Sequence, residues 1–392
     1  MRFNLWEDCN RVPLTELLSF IVDNRGKTVP TAPSGHKLIA TNCVTNNTLF
    51  PVYEKIRYLS EEIYQTWFRA HPIPGDILFV NKGTPGRVCL VPDPVDFCIA
   101  QDMIALRADE SKIYPKYLFA VLRSREIQQQ IYNTNVGDVI PHFKKQFLNQ
   151  LLIPIPERSI QESIGDLYYV LSLKAERNKK INDNLADLLQ TVYQERFGDT
   201  SLIANQGILS DICSYSRDKV AVSELNVSTY FSTENMLSGK AGSTEATSLP
   251  TTSQTTACHK GDTLISNIRP YFKKIVYCED NCGCSTDVLC FTPSQPRYSA
   301  YLFSTLYADK FFAFMVAGSK GTKMPRGDKQ QIMTYPVVLP SEEELAGFNT
   351  IASPLLEQIY SNSAENKRLS ILRDTLLPKL MSGEIDVSAI QL

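Results

Sequence analysis

Apolar and polar positions follow two rhythms along the chain. Short apolar runs, DILFV, RVCLV and MIALR in one half and DTLIS, KKIVYC and VLCF in the other, are separated by Gly, Pro, Asn and Asp, the pattern of strands joined by turns. Each half closes on an apolar run ending in proline, Pro156 and Pro340, and a different rhythm then begins. Steps of 4 and 3 run through Ile160, Ile164, Leu167, Leu171, Lys174, Asn178, Ile181, Leu185, Leu188 and Val192. The same steps recur 188 residues later through Phe348, Ala352, Leu355, Ile359, Asn362, Asn366, Leu369, Arg373, Leu376 and Leu380. Sustained 4-3 spacing is the seam of a coiled coil, so long helices are predicted over 157–199 and 341–392. Their starts carry Ser159-x-x-Glu162 and Ser341-x-x-Glu344, capping boxes in which the serine hydroxyl and the glutamate satisfy free N–H groups reciprocally. Polar residues interrupt both seams at matching places, Lys174 and Asn178 in one, Asn362 and Asn366 in the other. A buried Asn costs stability but penalises shifted registers, so these positions are expected to mark where the two helices meet. The alternative is a pair of amphipathic helices lying separately on their own domains, with those asparagines facing water.

The interruption is part of a duplication. ERNKKI at 176–181 returns as AENKRL at 364–369. Upstream, Leu14-Thr15-Glu16-Leu17 is answered by Leu209-Ser210-Asp211-Ile212, and Pro74-Gly75-Asp76-Ile77-Leu78 by Lys260-Gly261-Asp262-Thr263-Leu264. Gly137-Asp138-Val139-Ile140-Pro141 corresponds to Gly321-Thr322-Lys323-Met324-Pro325. The order is kept and the offsets, between 184 and 195, drift slowly, as in duplicated modules with loop insertions. The expected plan is a mixed domain at 1–156, a helix at 157–199, a second domain at 200–340, and a helix with its tail at 341–392.

Composition narrows the function. With 43% hydrophobic and 21% charged residues the chain is ordinary for a globular protein. Its net charge of −2 means an anionic partner must be met by local basic patches. Apolar runs such as LLSFIV at 17–22 are too short to span a bilayer, and the N-terminus lacks a basic-then-apolar leader, so a cytoplasmic protein is expected. No Gly-x-Gly-x-x-Gly, P-loop or Asn-Pro-Pro-aromatic motif occurs, and no cofactor is expected. Pro92-Asp93 with Glu110-Ser111-Lys112 has a nuclease-like composition at a spacing too loose to specify a site. Cys258, Cys278, Cys282, Cys284 and Cys290 beside His259 admit a zinc reading, but spacings of three, one and five match no usual pair of knuckles. They are read as small buried hydrophobes, and no metal site is assigned.

The order of Gly83-Thr84-Pro85-Gly86-Arg87 after a strand, IPIP before a helix, Glu176-Arg177-Asn178-Lys179-Lys180-Ile181-Asn182, and the ending Leu377-Pro378-Lys379-Leu380-Met381-Ser382-Gly383-Glu384-Ile385 resembles the specificity subunit of type I restriction-modification systems. The resemblance covers nearly the whole chain. It implies an α/β (α+β) fold with two target recognition domains separated by two long helices that form an antiparallel coiled coil. It also implies a protein without catalysis of its own that reads both halves of a split double-stranded DNA sequence. Two methyltransferase subunits and restriction translocase subunits would be its partners. At about 1.5 Å per residue the seam would be roughly 50 Å long, enough for half-sites about 34 Å apart.

Phosphate grip needs Lys and Arg, and base reading needs polar side chains carried by loops on a firm scaffold. The candidates are Lys82 and Arg87 around a Gly-Pro-Gly turn, with His142, Lys144 and Lys145 after Pro141. In the second copy they are Arg269, Lys273 and Lys274 beside Tyr271 and Phe272, with Lys320, Lys323 and Arg326 in a glycine-rich loop. Because Ser266-Asn267-Ile268-Arg269-Pro270-Tyr271-Phe272-Lys273-Lys274 replaces the Gly-x-x-Gly turn, its backbone is expected to differ. A duplicated protein-interaction scaffold that never touches DNA is the competing reading, and it has no need of basic residues at matching loops.

Overall fold

The run Ile77–Val80 is apolar at every position, which suits a strand covered on both faces. In the computed structural model, which describes residues 4–24, 26, 28–134, 141–198 and 205–386, all four of these residues are buried. The chain divides into two compact units, Met1–Lys179 with Ala364–Leu392, and Lys180–Ser363. Within the first, Ile77–Val80 is an interior strand of a four-stranded antiparallel sheet ordered Leu18–Val22, Met103–Ala108, Ile77–Val80, Val88–Leu90. Within the second, Thr263–Ser266 holds the same place in the order Cys213–Tyr215, Val288–Pro293, Thr263–Ser266, Ile275–Tyr277. Each unit adds a second, mixed sheet, of three strands in the first unit and four in the second, with one parallel pairing, Leu38 against Cys98 and Tyr230 against Gly283. Each also pairs its first and last strands, Arg11–Pro13 with Leu152–Pro154 and Gln206–Ile208 with Pro336–Val338. The duplication read from sequence is thus a duplication of topology. The anchor Gly137-Asp138-Val139-Ile140 lies outside the described residues.

Two helices of 40 residues follow, Arg158–Phe197 and Glu342–Met381. In the first unit, Leu377, Leu380 and Met381 of the C-terminal helix join Tyr168 of the central helix in a core with Leu118, Phe119 and Phe143. Gly165 allows close approach there, since a Cβ would lie 2.6 Å from the Tyr117 nitrogen. In the second unit, Leu189, Tyr193 and Phe197 pack with Phe348, Ala352 and Leu356. The pairing is antiparallel in each: the Arg373 guanidinium lies over Tyr168 while Asn366 meets Asn178, and Tyr193 meets Phe348 while Asn182 meets Ile359.

Two expectations are corrected. Ile181 and Leu188, counted in the seam, are 45% and 48% exposed, and Leu189 and Tyr193 take the buried positions. A strict 3.5-residue count drifts by about 20° per heptad against a straight helix, so extrapolating it places the later residues one position early. Ser159 does not cap the central helix: the helix begins at Arg158, whose guanidinium binds Glu162 at 2.9 Å. At the other start the box forms, with Glu344 N–H donating to Ser341 Oγ (3.2 Å) and Ser341 N–H to Glu344 Oε2 (2.8 Å).

Cys258, Cys278, Cys282, Cys284 and Cys290 pack together with Met236, Leu264 and Val288 in a buried cluster of the second unit. Among the described residues no group of three or more His, Cys, Asp or Glu is arranged to hold a metal ion, and no helix is long and apolar enough to cross a membrane.

Candidate nucleic-acid interface

In both units the chain leaves the buried strand through an asparagine, Asn81 or Asn267, whose N–H donates to the carbonyl of an aspartate at the next turn, Asp102 or Asp287, at 2.8 Å. The following residue pairs antiparallel with the distant basic loop: Lys82 with His142, and Ile268 with Arg326. Gly83 N–H donates to Pro141 O at 2.9 Å, and Arg269 N–H to Pro325 O at 2.8 Å. The structure therefore brings the two basic loops of each unit side by side, through the same backbone bonds in both copies.

The intervening turn differs between the copies in length and winding, while the conformation of its ends is shared. Its ends are left-handed in both copies, Gly83 and Gly86 (φ 86° and 87°) in one, Arg269 and Lys273 (φ 50° each) in the other. The second turn is one residue longer and winds Pro270–Phe272 into a 3-10 turn, but it keeps the frame. Glycine meets that conformation without a Cβ penalty; arginine and lysine each incur about 1–3 kcal/mol that surrounding bonds must hold.

The candidate side chains sort into three groups. Arg87, Lys144 and Lys323 are exposed, Lys82 and His142 are partly so, and among the described residues none of these five has an ion-pair partner. Four are held by carboxylates: Lys145 by Asp23 (3.0 Å), Lys273 by Asp309 (2.9 Å), Lys320 by Asp328 (2.5 Å) and Arg326 by Asp287 (2.9 Å). The hydrogen bond from Lys320 holds the Asp328 carboxyl below its ordinary value, and those from Lys240 and Lys273 do the same for Asp309. Lys274 is turned inward, its ammonium donating to the Thr233 carbonyl at 2.5 Å, and burial lowers its pKa. Arg269 is partly buried, with its Nε unpartnered among the described residues. Its backbone belongs to the loop junction.

Asn81 and Asn267 escaped sequence reasoning. Asn81 Nδ2 donates to Phe143 O (3.2 Å), tying the loops together by its side chain as well as its backbone. At the matching place Asn267 Oδ1 is buried and unpartnered, and Gly327 makes room for it, since a Cβ there would lie 2.9 Å away. The available signal was an Asn directly after the central strand of both copies.

The register residues lie on the helices. In the first unit Asn178 Nδ2 donates to Asn366 Oδ1 (3.0 Å) and to Glu365 Oε2 (2.5 Å), and Asn366 Nδ2 donates to the Ala175 carbonyl (3.1 Å). The hydrogen bond from Asn178 is the largest influence lowering the pKa of Glu365. Lys174 is half exposed and reaches Glu365 at 3.4 Å from the edge. In the second unit Asn362 donates not to Lys174 or Asn178 but to Asn182 Oδ1 (2.8 Å), and Asn182 in turn reaches Ile359 O and Ser363 Oγ, both at 3.1 Å.

Comparison with known proteins agrees with this architecture. Residues 27–186 match the type I restriction modification DNA specificity domain. The chain is 34% identical over 73 residues to the type I restriction enzyme MjaIX specificity subunit of Methanocaldococcus jannaschii, covering 19% of this chain and 17% of that one. It is 25% identical over 153 residues to the HindI specificity subunit of Haemophilus influenzae, covering 38% and 33% respectively. The matched segments therefore span a third or less of those relatives. The S subunit of a type I restriction-modification system from M. genitalium shares the fold over 97% of this chain and 98% of that one, with a TM-score of 0.60 and 17% identity. Residues 27–186 are thus similar to the type I restriction modification DNA specificity domain, and the fold over nearly the whole chain is that of a solved S subunit.

Proposed function

We propose that each unit reads one half of a bipartite double-stranded DNA site, that the helices set the spacer, and that the chain carries no catalysis of its own. The observation that supports this most directly is the repeated loop junction, Lys82 with His142 and Ile268 with Arg326. It gathers cations into one place in each copy of a chain whose net charge is −2. Base reading requires side chains presented by backbone that does not move, and a strand continuing into a paired loop supplies it. Methyltransferase subunits would dock on the outer faces of the helices and restriction subunits would join them, in the cytoplasm. Ile371 and Leu372, both exposed on the C-terminal helix of the first unit, fit such a contact. Truncation is a poor probe of it, because Leu377, Leu380 and Met381 belong to that unit's core.

The test is methylation mapping of DNA from cells carrying this chain and its methyltransferase partner, with and without K320E/K323E/R326E. A split motif whose second half alone loses definition supports one recognition domain per half-site. No motif in either case leaves the scaffold reading in place.

A further inference from the structure

Tyr271 and Phe272 occupy the tip of the second unit's turn, 51% and 38% exposed, with ring centroids 4.8 Å apart. A flexible loop would fold two such rings down. Here the backbone that carries the rings is fixed from several sides. Arg269 N–H donates to Pro325 O (2.8 Å), Gly239 N–H to Phe272 O (2.8 Å) and Lys240 N–H to Lys273 O (2.9 Å). Pro270 is buried, and Lys273 and Lys240 are both anchored on Asp309. The strained left-handed residues stand at the two ends of this element, so the bonds around it hold a conformation the chain would otherwise leave. The first unit has Thr84 and Pro85 between its glycines and no aromatic side chain there.

We propose that Tyr271 and Phe272 form an aromatic wedge that enters the base stack of the half-site read by the second unit. This rests on the reading of that unit as a DNA-recognition domain and adds a contact of a different kind from its cations. The rings stand in the chain between Arg269 and Lys273, on a turn whose backbone is bonded to the Lys320–Arg326 loop. A ligand for such a surface must offer an anionic backbone and flat apolar faces together, which is the chemistry of a nucleic acid. The core of a protein interface, in contrast, is depleted of lysine, and Lys320 and Lys323 stand on the neighbouring loop. A wedge unstacks the step it enters, so the second unit discriminates among sequences partly by how easily that step opens, with pyrimidine–purine steps favoured.

The experiment uses the complex assembled with its methyltransferase subunits and a duplex bearing the bipartite site that methylation mapping returns. 2-Aminopurine is placed at one position of the second half at a time. The expected result is a fluorescence rise at one step with the native complex, absent with Y271A/F272A, whose affinity falls by about 10- to 100-fold. F272Y, which keeps a ring, retains the rise. K323E weakens binding yet retains it at saturating protein, separating charge from stacking. Unchanged affinity and fluorescence in Y271A/F272A overturns the wedge alone. Failure of the native complex to bind any duplex overturns both the wedge and the DNA reading. Loss of methyltransferase co-purification in Y271A/F272A overturns the wedge in favour of a protein contact.

Discussion

Replacing Asn178 by leucine tests what the polar layer of the first unit does. Asn178 is buried and gives its two amide hydrogens to Asn366 Oδ1 and Glu365 Oε2. Glu365 is partly exposed and keeps Lys174 at 3.4 Å, so its lost bond costs little. Asn366 Oδ1 is left facing a methyl group, and an unsatisfied polar atom inside the seam costs about 1–3 kcal/mol. Leucine burial recovers part of this, giving a net loss on the order of 1–2 kcal/mol. In N178L/N366L both polar groups are gone, and the Ala175 carbonyl that accepts from Asn366 sits mid-helix with its own backbone partner. The double variant should therefore be near neutral or more stable than the native chain, with a coupling of at least about 1 kcal/mol between the two sites. Both tryptophans, Trp6 and Trp67, belong to the first unit, so urea unfolding followed by tryptophan fluorescence reports on it selectively. Additive losses, with the double variant as unstable as the sum of the singles, would refute the argument that the asparagines act as a pair chosen for register at some cost in stability.

The matching aspartates after each glycine make opposite predictions. Asp76 is buried and gripped by Arg107 through Nε (2.9 Å) and Nη2 (3.0 Å), so R107M should strand it and destabilise the first unit by about 2–3 kcal/mol, read by the same fluorescence. Asp262 has no such arginine among the described residues: burial raises its pKa against the opposing hydrogen bond from His259 N–H, so its contribution to stability is full below the unfolded value near 3.8 and is lost as pH rises through the folded one. D262N should flatten the fall of the second unit's melting temperature between pH 4 and pH 7 in calorimetry; an unchanged pH profile would count against it. Freeing Lys320 with D328N, which keeps an N-cap acceptor for Gln330 and Gln331, should steepen the salt dependence of DNA affinity by up to about 0.9 in log–log slope, and no change would mean Lys320 lies off the phosphate path.

Much of the architecture was legible because duplication writes the same physics twice. The phrase around Asn178 and Asn366 names two residues that do bond to each other, and the PGDIL and KGDTL anchors lead into equivalent interior strands. Asn182 was missed because a heptad count carried past Asn178 selects Ile181, whereas the real helix turns the next residue inward. The pairing of Lys273 with Asp309 and of Lys145 with Asp23 joins residues far apart in sequence, and no local spacing encodes it. Asn81 stood in plain view after its strand, but only the fold shows that Phe143 approaches it.

The comparison of the two turns separates what is kept from what is free to change. At the junction the kept features are backbone bonds: Asn to Asp carbonyl, strand residue to distant loop, left-handed ends. Such bonds ignore side-chain identity, so Lys82 can become Ile268 and His142 can become Arg326 without moving the frame. Glycine is the low-strain residue at the left-handed ends, and the first unit uses it at Gly83 and Gly86. The second unit uses Arg269 and Lys273 instead, accepting strain that glycine would relieve. A strained position persists where its surroundings hold it, and here they do so with bonds from Pro325, Gly239, Lys240 and Asp309. Long side chains at rigid ends of a turn present chemistry that glycine cannot, so the strain falls where the second unit differs most from the first. A frame indifferent to its side chains, carrying turns that are not, would let two copies of one domain recognise unlike sequences, as the proposed reading of two half-sites requires.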